Sequence, residues 1–269
     1  MKVNFAFPIR YCQQLGTRYS WSRKRWLRTY PDDTWVVSYP KSGNTWVRFL
    51  IANLLDPTNP VTFQNLEWRV HDIYKHDNAT LANLPRPRVL KSHEPYDRRY
   101  ARVVYVVRDP RAILVSLHHH LRRIGTISDD VPITTTADRF LRGGRWGRWP
   151  DHVAAWLDCP INRESLLTLS YESLSEAPLA QAHRICAFLG IERDEQTVAG
   201  CVELSTARRM RDLESKESTR WIETASRRTD IPFIRSASPE AWRDELPTDV
   251  AERVFTEFSE AMSRLGYLR

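Results

Sequence analysis

The sequence contains no apolar run long enough to cross a bilayer, which takes roughly 18 residues. It also has no internal repeat, no low-complexity linker and no C-x-x-C pair. Its four cysteines, Cys12, Cys159, Cys186 and Cys201, are widely scattered. That spacing argues against a disulfide framework or a structural zinc site and fits a reducing, cytoplasmic setting. The N-terminus lacks the apolar stretch and small-residue cleavage site of a signal peptide. Acidic residues are absent from positions 1–30, which carry seven basic ones and match the chain's whole net charge of +7. This basic segment, densest at "SRKRWLR" (22–28), reads as a solvated helix face or as a contact for an acidic partner or membrane surface. The overall charge suits an anionic ligand without requiring nucleic acid.

What is present is an alternating pattern. Four short, β-branched runs read as buried parallel strands: 34–39, 88–93, 102–107 and 166–171. Helical patterns cover 44–54, 110–122, 149–157, 177–189, 194–202 and 248–265. Segments 56–86, 124–147 and 212–238 read as irregular. The alternation predicts an α/β fold, a central parallel β-sheet flanked by helices. Ligands of such sheets bind at the carboxyl ends of the strands. Lys41, His93, Arg108 and Tyr171 all fall there.

The first of these ends reads "SYPKSGNTWVRF" (38–49). A strand gives way to a helix whose first N–H groups lack partners and whose dipole is positive there. Gly43 permits close backbone approach, Ser42 and Thr45 bring hydroxyls, and Lys41 brings a charge. This is an anion site, suited to a phosphate or its like. "VVYVVRDPRAILVS" (103–116) is the second. Arg108 ends a strand and Ser116 lies a little over two turns into the following helix, so one ligand reaches both only by lying along that helix. In "VLKSHEP" (89–95), Lys91 and His93 are two residues apart and share a strand face. A Lys-x-His pair at the ligand end of a strand suits charge stabilisation with base catalysis. His118, His119 and His120 are successive helix positions, so they do not share a face and do not make a metal site.

Together these segments resemble the cytosolic-type sulfotransferase family, which moves a sulfonyl group from 3′-phosphoadenosine 5′-phosphosulfate (PAPS) to an acceptor and leaves 3′-phosphoadenosine 5′-phosphate (PAP). "YPKSGNTW" (39–46) resembles that family's 5′-phosphosulfate loop, YPKSGTTW. "YVVRDPRAILVS" (105–116) resembles its 3′-phosphate motif, and "LKSHEP" (90–95) resembles LKTHLP, with its catalytic histidine. "GRWPDHVAAW" (147–156), "LSYESL" (169–174) and "FIRSASPEAW" (233–242) resemble three later motifs, in the family's order. The resemblance implies a P-loop-like sulfotransferase fold in a single domain over 1–269, with the motifs between about 34 and 243. By resemblance, Lys41, Ser42, Gly43, Asn44, Thr45, Trp46, Arg108, Ser116, Tyr171, Ser205 and Arg235 bind the nucleotide, with Thr45 and the backbone around Gly43 at the 5′-phosphate, Arg108 and Ser116 at the 3′-phosphate and Tyr171 near the adenine. His93 is the implied base, with Lys41 and Lys91 supporting the transferring group, and no metal is required. The chain departs from the pattern at Asn44, at Ala207 where the family has an aromatic residue, and at Ser236 and Ala237 where it has Lys and Gly. The family's C-terminal dimer motif is not recognisable.

Two other readings compete. A P-loop kinase or nucleoside triphosphatase needs G-x-x-x-x-G-K-S/T, but Lys41 precedes the motif's only glycine. A non-catalytic nucleotide-binding module has no need of a base such as His93. The acceptor reads as a small molecule, natural product or saccharide. Trp68, Trp146 and Trp149 suit stacking on a ring or sugar face, or equally a place in the core.

Overall fold

In a computed structural model, residues 26–144, 146–217, 228–235 and 237–267 are described. The greater part of the basic segment (1–25), and with it the membrane-contact reading, lies outside them, as do Cys12 and Ser236.

Five strands form one sheet: β1 (Thr34–Ser38), β2 (Val70–Asp72), β3 (Val89–Ser92), β4 (Arg102–Val107) and β5 (Leu166–Ser170). Every pairing is parallel and the order is β2-β3-β1-β4-β5. The helices are α1 (Asn44–Leu55), α2 (Asn78–Ala82), α3 (Pro110–Arg123), α4 (Ile133–Arg142), α5 (Trp149–Leu157) and α6 (Tyr171–Glu176). They continue with α7 (Pro178–Leu189), α8 (Glu195–Leu204), α9 (Ala207–Glu217), α10 (Trp242–Glu245) and α11 (Thr248–Arg264).

Period-two alternation divides the strands between two cores. Val36, Val104, Val106 and Leu169 pack with α1, α7, α8 and α9. Trp35, Val37, Leu90, Val103 and Tyr105 face the other way, against Leu81, Tyr100 and Trp156. A third cluster joins α3, α4, α5, α10 and α11 around Trp149 and Phe258. Both faces of the sheet are covered, which explains its continuous apolar strands.

β1 leads through α1 toward β2 and β3 on one side, and β4 leads through α3 toward β5 on the other. The chain therefore diverges at the carboxyl ends of β1 and β4, which opens a crevice there. The opposite ends are locked. Arg88 and Asp33, both fully buried, form a two-pronged ion pair in which Arg88 Nε donates to Asp33 Oδ1 at 2.8 Å. Arg88 also donates to the carbonyls of Leu81 (2.7 Å) and Arg28 (3.0 Å).

The predicted strands and helices form within a residue or two of their expected bounds. Four of these elements fall in segments read as irregular: β2, α2, α4 and much of α9. β2 has three residues, two of them polar (Val70, His71, Asp72), too few to show a period. α4 begins with a Thr-rich turn, and α9 is rich in charge with few apolar positions.

Candidate active site

The loop after β1 turns twice through the left-handed region, at Lys41 (φ 71) and Gly43 (φ 92). Lys41 holds a conformation that costs a side-chain-bearing residue energy, as residues at functional sites often do. Gly43 is required for two reasons. Its φ disfavours other residues, and a Cβ there would lie 2.5 Å from Tyr171 Cδ2. Helix α1 starts directly after it with no side-chain cap. Its leading N–H groups, from Asn44 onward, therefore point into the crevice without an intrahelical partner. Ser42 Oγ is fully buried and has no partner among the described residues. A buried polar atom left unmade costs about 1–3 kcal/mol, so this hydroxyl is placed for a ligand.

Arg108 leaves the end of β4 and donates to the Lys41 carbonyl at 3.2 Å, bridging the crevice. Its guanidinium lies 4.0 Å from the Tyr171 ring centroid, and its Nε is buried without a partner among the described residues. Burial, opposed by Tyr171 and Glu172 and aided by the nearby Arg235, lowers its pKa. Tyr171 opens α6, meets Trp46 edge-on at 5.3 Å and donates its hydroxyl to the Ala237 carbonyl at 3.0 Å. Lys41, Ser116, His119, Arg123, Phe233 and Arg235 line one cavity beside this loop. Phe233 stands over it, 5.3 Å from Lys41 Nζ. Arg235 forms an ion pair with Glu245.

On the other side of β1, His93 follows β3. Its Nδ1 lies 2.8 Å from the Ser38 carbonyl. A carbonyl only accepts, so Nδ1 carries the proton and Nε2 keeps its lone pair. Among the described residues nothing hydrogen-bonds to that Nε2. Burial, and then the Lys91 charge, push the His93 pKa well below the ordinary histidine value. The ring is stacked on Tyr74 at 6.0 Å and meets Trp146 at 5.5 Å. Its backbone N–H donates to Tyr74 Oη, which itself donates to Glu94. The imidazole is thus neutral, fixed in one tautomer and set in an aromatic wall.

The fold brings Lys41, Ser42, Gly43, Thr45, Trp46, Arg108, Ser116, Tyr171 and Arg235 around one crevice, with His93 one strand away. Three expectations need correction. Ser205 does not face the crevice. It is fully buried between α8 and α1, donating to the Cys201 carbonyl at 2.8 Å and accepting from Asn53 at 3.0 Å. The Asn44 amide does not reach toward a ligand either. It donates back to Ser38 Oγ (3.1 Å) and the Val36 carbonyl (3.4 Å), bracing the loop against its own strand. Lys91 donates to Asp72 at 3.0 Å in a buried ion pair, so it acts on His93 through charge rather than by reaching past it. Of the three tryptophans, Trp149 is core, Trp68 is surface, and Trp146 alone meets His93. Glu245 was not legible as a site residue, because only the tertiary fold brings it to Arg235.

A family profile described as "Sulfotransferase domain" matches residues 31–266. Sulfotransferase 2B1 of Mus musculus is 29% identical over 185 residues, covering 64% of this chain and 54% of that protein. The chain thus spans about half the length of the first such relatives. Sulfotransferase 1C2 of Rattus norvegicus is 24% identical over 251 residues, covering 87% of this chain and 84% of the relative. Two solved structures share the fold. Retinol dehydratase in complex with retinol and PAP has a TM-score of 0.75 at 19% identity, covering 88% of this chain and 82% of that one. Mouse sulfotransferase SULT7A1 complexed with PAP has a TM-score of 0.71 at 22% identity, covering 88% and 85%.

Proposed function

The chain belongs to the sulfotransferase domain family, and from that premise we propose that it transfers a sulfonyl group from PAPS to the hydroxyl or amine of a small acceptor. The observation that carries the reading is the pairing of two features across β1. One is an uncapped helix start ringed by unpartnered buried donors, Ser42 Oγ and Arg108 Nε. The other is a neutral histidine with its Nε2 lone pair available.

The donor fits these residues. When bound, PAPS supplies a sulfonyl group on a phosphate leaving group. The α1 N-terminus, the Ser42 hydroxyl and the Thr45 hydroxyl hold the 5′-phosphate. Lys41 offsets the negative charge that grows there, in a site whose dipoles need no reorganisation. Arg108, Ser116 and Arg235 hold the 3′-phosphate. Trp46 and Tyr171 present aromatic surface to the adenine, and Trp46 takes on more of that role because Ala207 and Ser205 offer none.

His93 Nε2 accepts the acceptor's proton, while the Nδ1–H bond to Ser38 holds the ring's tautomer and aim. Tyr74 and Trp146 flank the ring and give an aromatic or sugar-faced acceptor a surface to lie on. The acceptor is a small molecule, natural product or saccharide. In the neighbouring structure it is retinol that is bound with PAP.

Binding tests the donor half. The wild-type chain is expected to bind PAP far better than AMP, by calorimetry. Arg108→Ala is expected to reduce that preference by roughly 10–100-fold, the range for a hydrogen bond to a charged group. Equal affinity for the two nucleotides in the wild type would refute the assignment.

A further inference from the structure

α3 carries Ser116 and, three residues on, His119, so the two lie on neighbouring turns of one face. Both line the cavity that Lys41, Arg123 and Arg235 also line. His119 Nε2 is 2.6 Å from Glu245 Oε2, and the other oxygen of the same carboxylate pairs with Arg235. One carboxylate from α10 therefore grips two side chains, the His119 imidazole from α3 and the Arg235 guanidinium from the 228–235 segment. Burial acts to raise the Glu245 pKa, but the hydrogen bonds from His119 and Arg235 outweigh it and hold the group below the ordinary carboxylate value. Glu245 is thus an anion whose two partners, His119 and Arg235, both line the cavity.

We infer that His119 is a further binding residue for the nucleotide's 3′-phosphate, positioned with Arg235 by Glu245. This rests on the donor assignment above. With Nε2 given to Glu245, Nδ1 is the nitrogen left for a ligand. A ring that donates from both nitrogens bridges the phosphate and Glu245, and Glu245 is then its counter-ion. Charge around the cavity favours a dianion. Lys41, Arg123 and Arg235 face His119 from the loops and its own helix, with His118, His120 and Arg122 adjacent. The carboxylates are Glu245 and, against Arg123 at 3.7 Å, Glu214. The second of these also accepts the backbone N–H groups of Phe233 and Ile234, so it is occupied in holding that segment. Position 236 is a serine, so no lysine follows Arg235, and His119 supplies a second partner from the helix side.

Calorimetry with PAP and AMP on the full chain decides this, because the ratio of the two affinities isolates the 3′-phosphate. His119→Ala is expected to lower the PAP-over-AMP ratio by roughly 10-fold, with AMP affinity unchanged. His119→Lys, which restores a cation, is expected to keep most of the ratio. Should the alanine variant not fold, His119→Gln carries the same expected loss, since it keeps a bond to Glu245 but not the imidazole. A wild-type ratio in His119→Ala or His119→Gln would overturn the inference while leaving the donor assignment intact. So would a loss shared equally by PAP and AMP, which marks a structural residue. A wild-type chain without preference for PAP would overturn the donor assignment and this inference with it.

Discussion

His93→Asn is expected to lower the sulfonyl-transfer rate by about 10²–10⁴-fold, the usual contribution of a positioned general base. PAP affinity is expected to change little, because Nε2 faces the acceptor side of β1 while the nucleotide's anchors lie on the other. Stopped assays with PAPS in excess, alongside calorimetry with PAP, separate the two quantities. The wild type carries a pH signature of the same claim. An ordinary histidine loses its basic form as pH falls through about 6.5. The His93 pKa lies well below that, because burial and the Lys91 charge both disfavour the imidazolium. The base therefore stays neutral, and the rate is expected to hold from pH 8 down through 6 and to fall only at lower pH. A rate that halves near pH 6.5 and loses that step in His93→Asn would contradict the buried, neutral imidazole. An unchanged rate in a folded His93→Asn, on an acceptor whose proton is not already lost in solution, would remove His93 from the chemistry.

The second large effect concerns stability at the opposite end of the sheet. Asp33→Ala leaves the Arg88 guanidinium fully buried without its counter-charge. Breaking a buried pair from one side costs about 3–5 kcal/mol. For a chain of this size that corresponds to a drop of roughly 10 °C in the thermal midpoint. Replacing both partners by apolar residues, Asp33→Leu with Arg88→Met, removes the stranded charge and is expected to recover most of the loss. Thermal and urea unfolding of the single and double variants measure this. Because the pair sits at the amino ends of β1 and β3, the folded fraction of Asp33→Ala is expected to bind PAP as the wild type does. A double variant no more stable than the single one would show that the pair's geometry, rather than its uncompensated charge, holds these strand ends.

The sequence was most informative where a single local feature settles the matter. Val103–Val107 is a β-branched run with a polar residue at either end, and it forms β4 as expected. Pro110 stands where α3 begins, and Asp109 caps it by accepting from Arg111 N–H. Lys41, Gly43, Arg108 and His93 were legible because a parallel sheet puts its strand ends on one side, so residues just past those ends converge whatever the helices do. Less legible was anything decided by a partner far along the chain. Ser205 reads as a ligand contact by the family resemblance, yet Asn53, from α1, donates to its hydroxyl. Lys91 looks available until Asp72 arrives on the edge strand β2, which is itself too short to show a pattern. In the His118–His120 run the members turn to different neighbours, His118 to Thr136 and His119 to Glu245. The departures at 236 and 237 were visible in the sequence, but the carboxylate linking His119 to Arg235 was not, since Glu245 lies ten positions past Arg235 and on another element.

The central claim is that the crevice beside β1 delivers a sulfonyl group to an acceptor that His93 deprotonates. Transfer of labelled sulfonyl group from PAPS onto a panel of phenols, aliphatic alcohols, amines and saccharides, with the chain in excess chelator, tests it most directly. The account predicts a labelled product with at least one acceptor class and release of PAP in equal amount, abolished by Lys41→Ala and strongly reduced by His93→Asn. Tight binding of PAP with no labelled product on any acceptor, or nucleotide turnover that releases inorganic phosphate and needs magnesium, would contradict it.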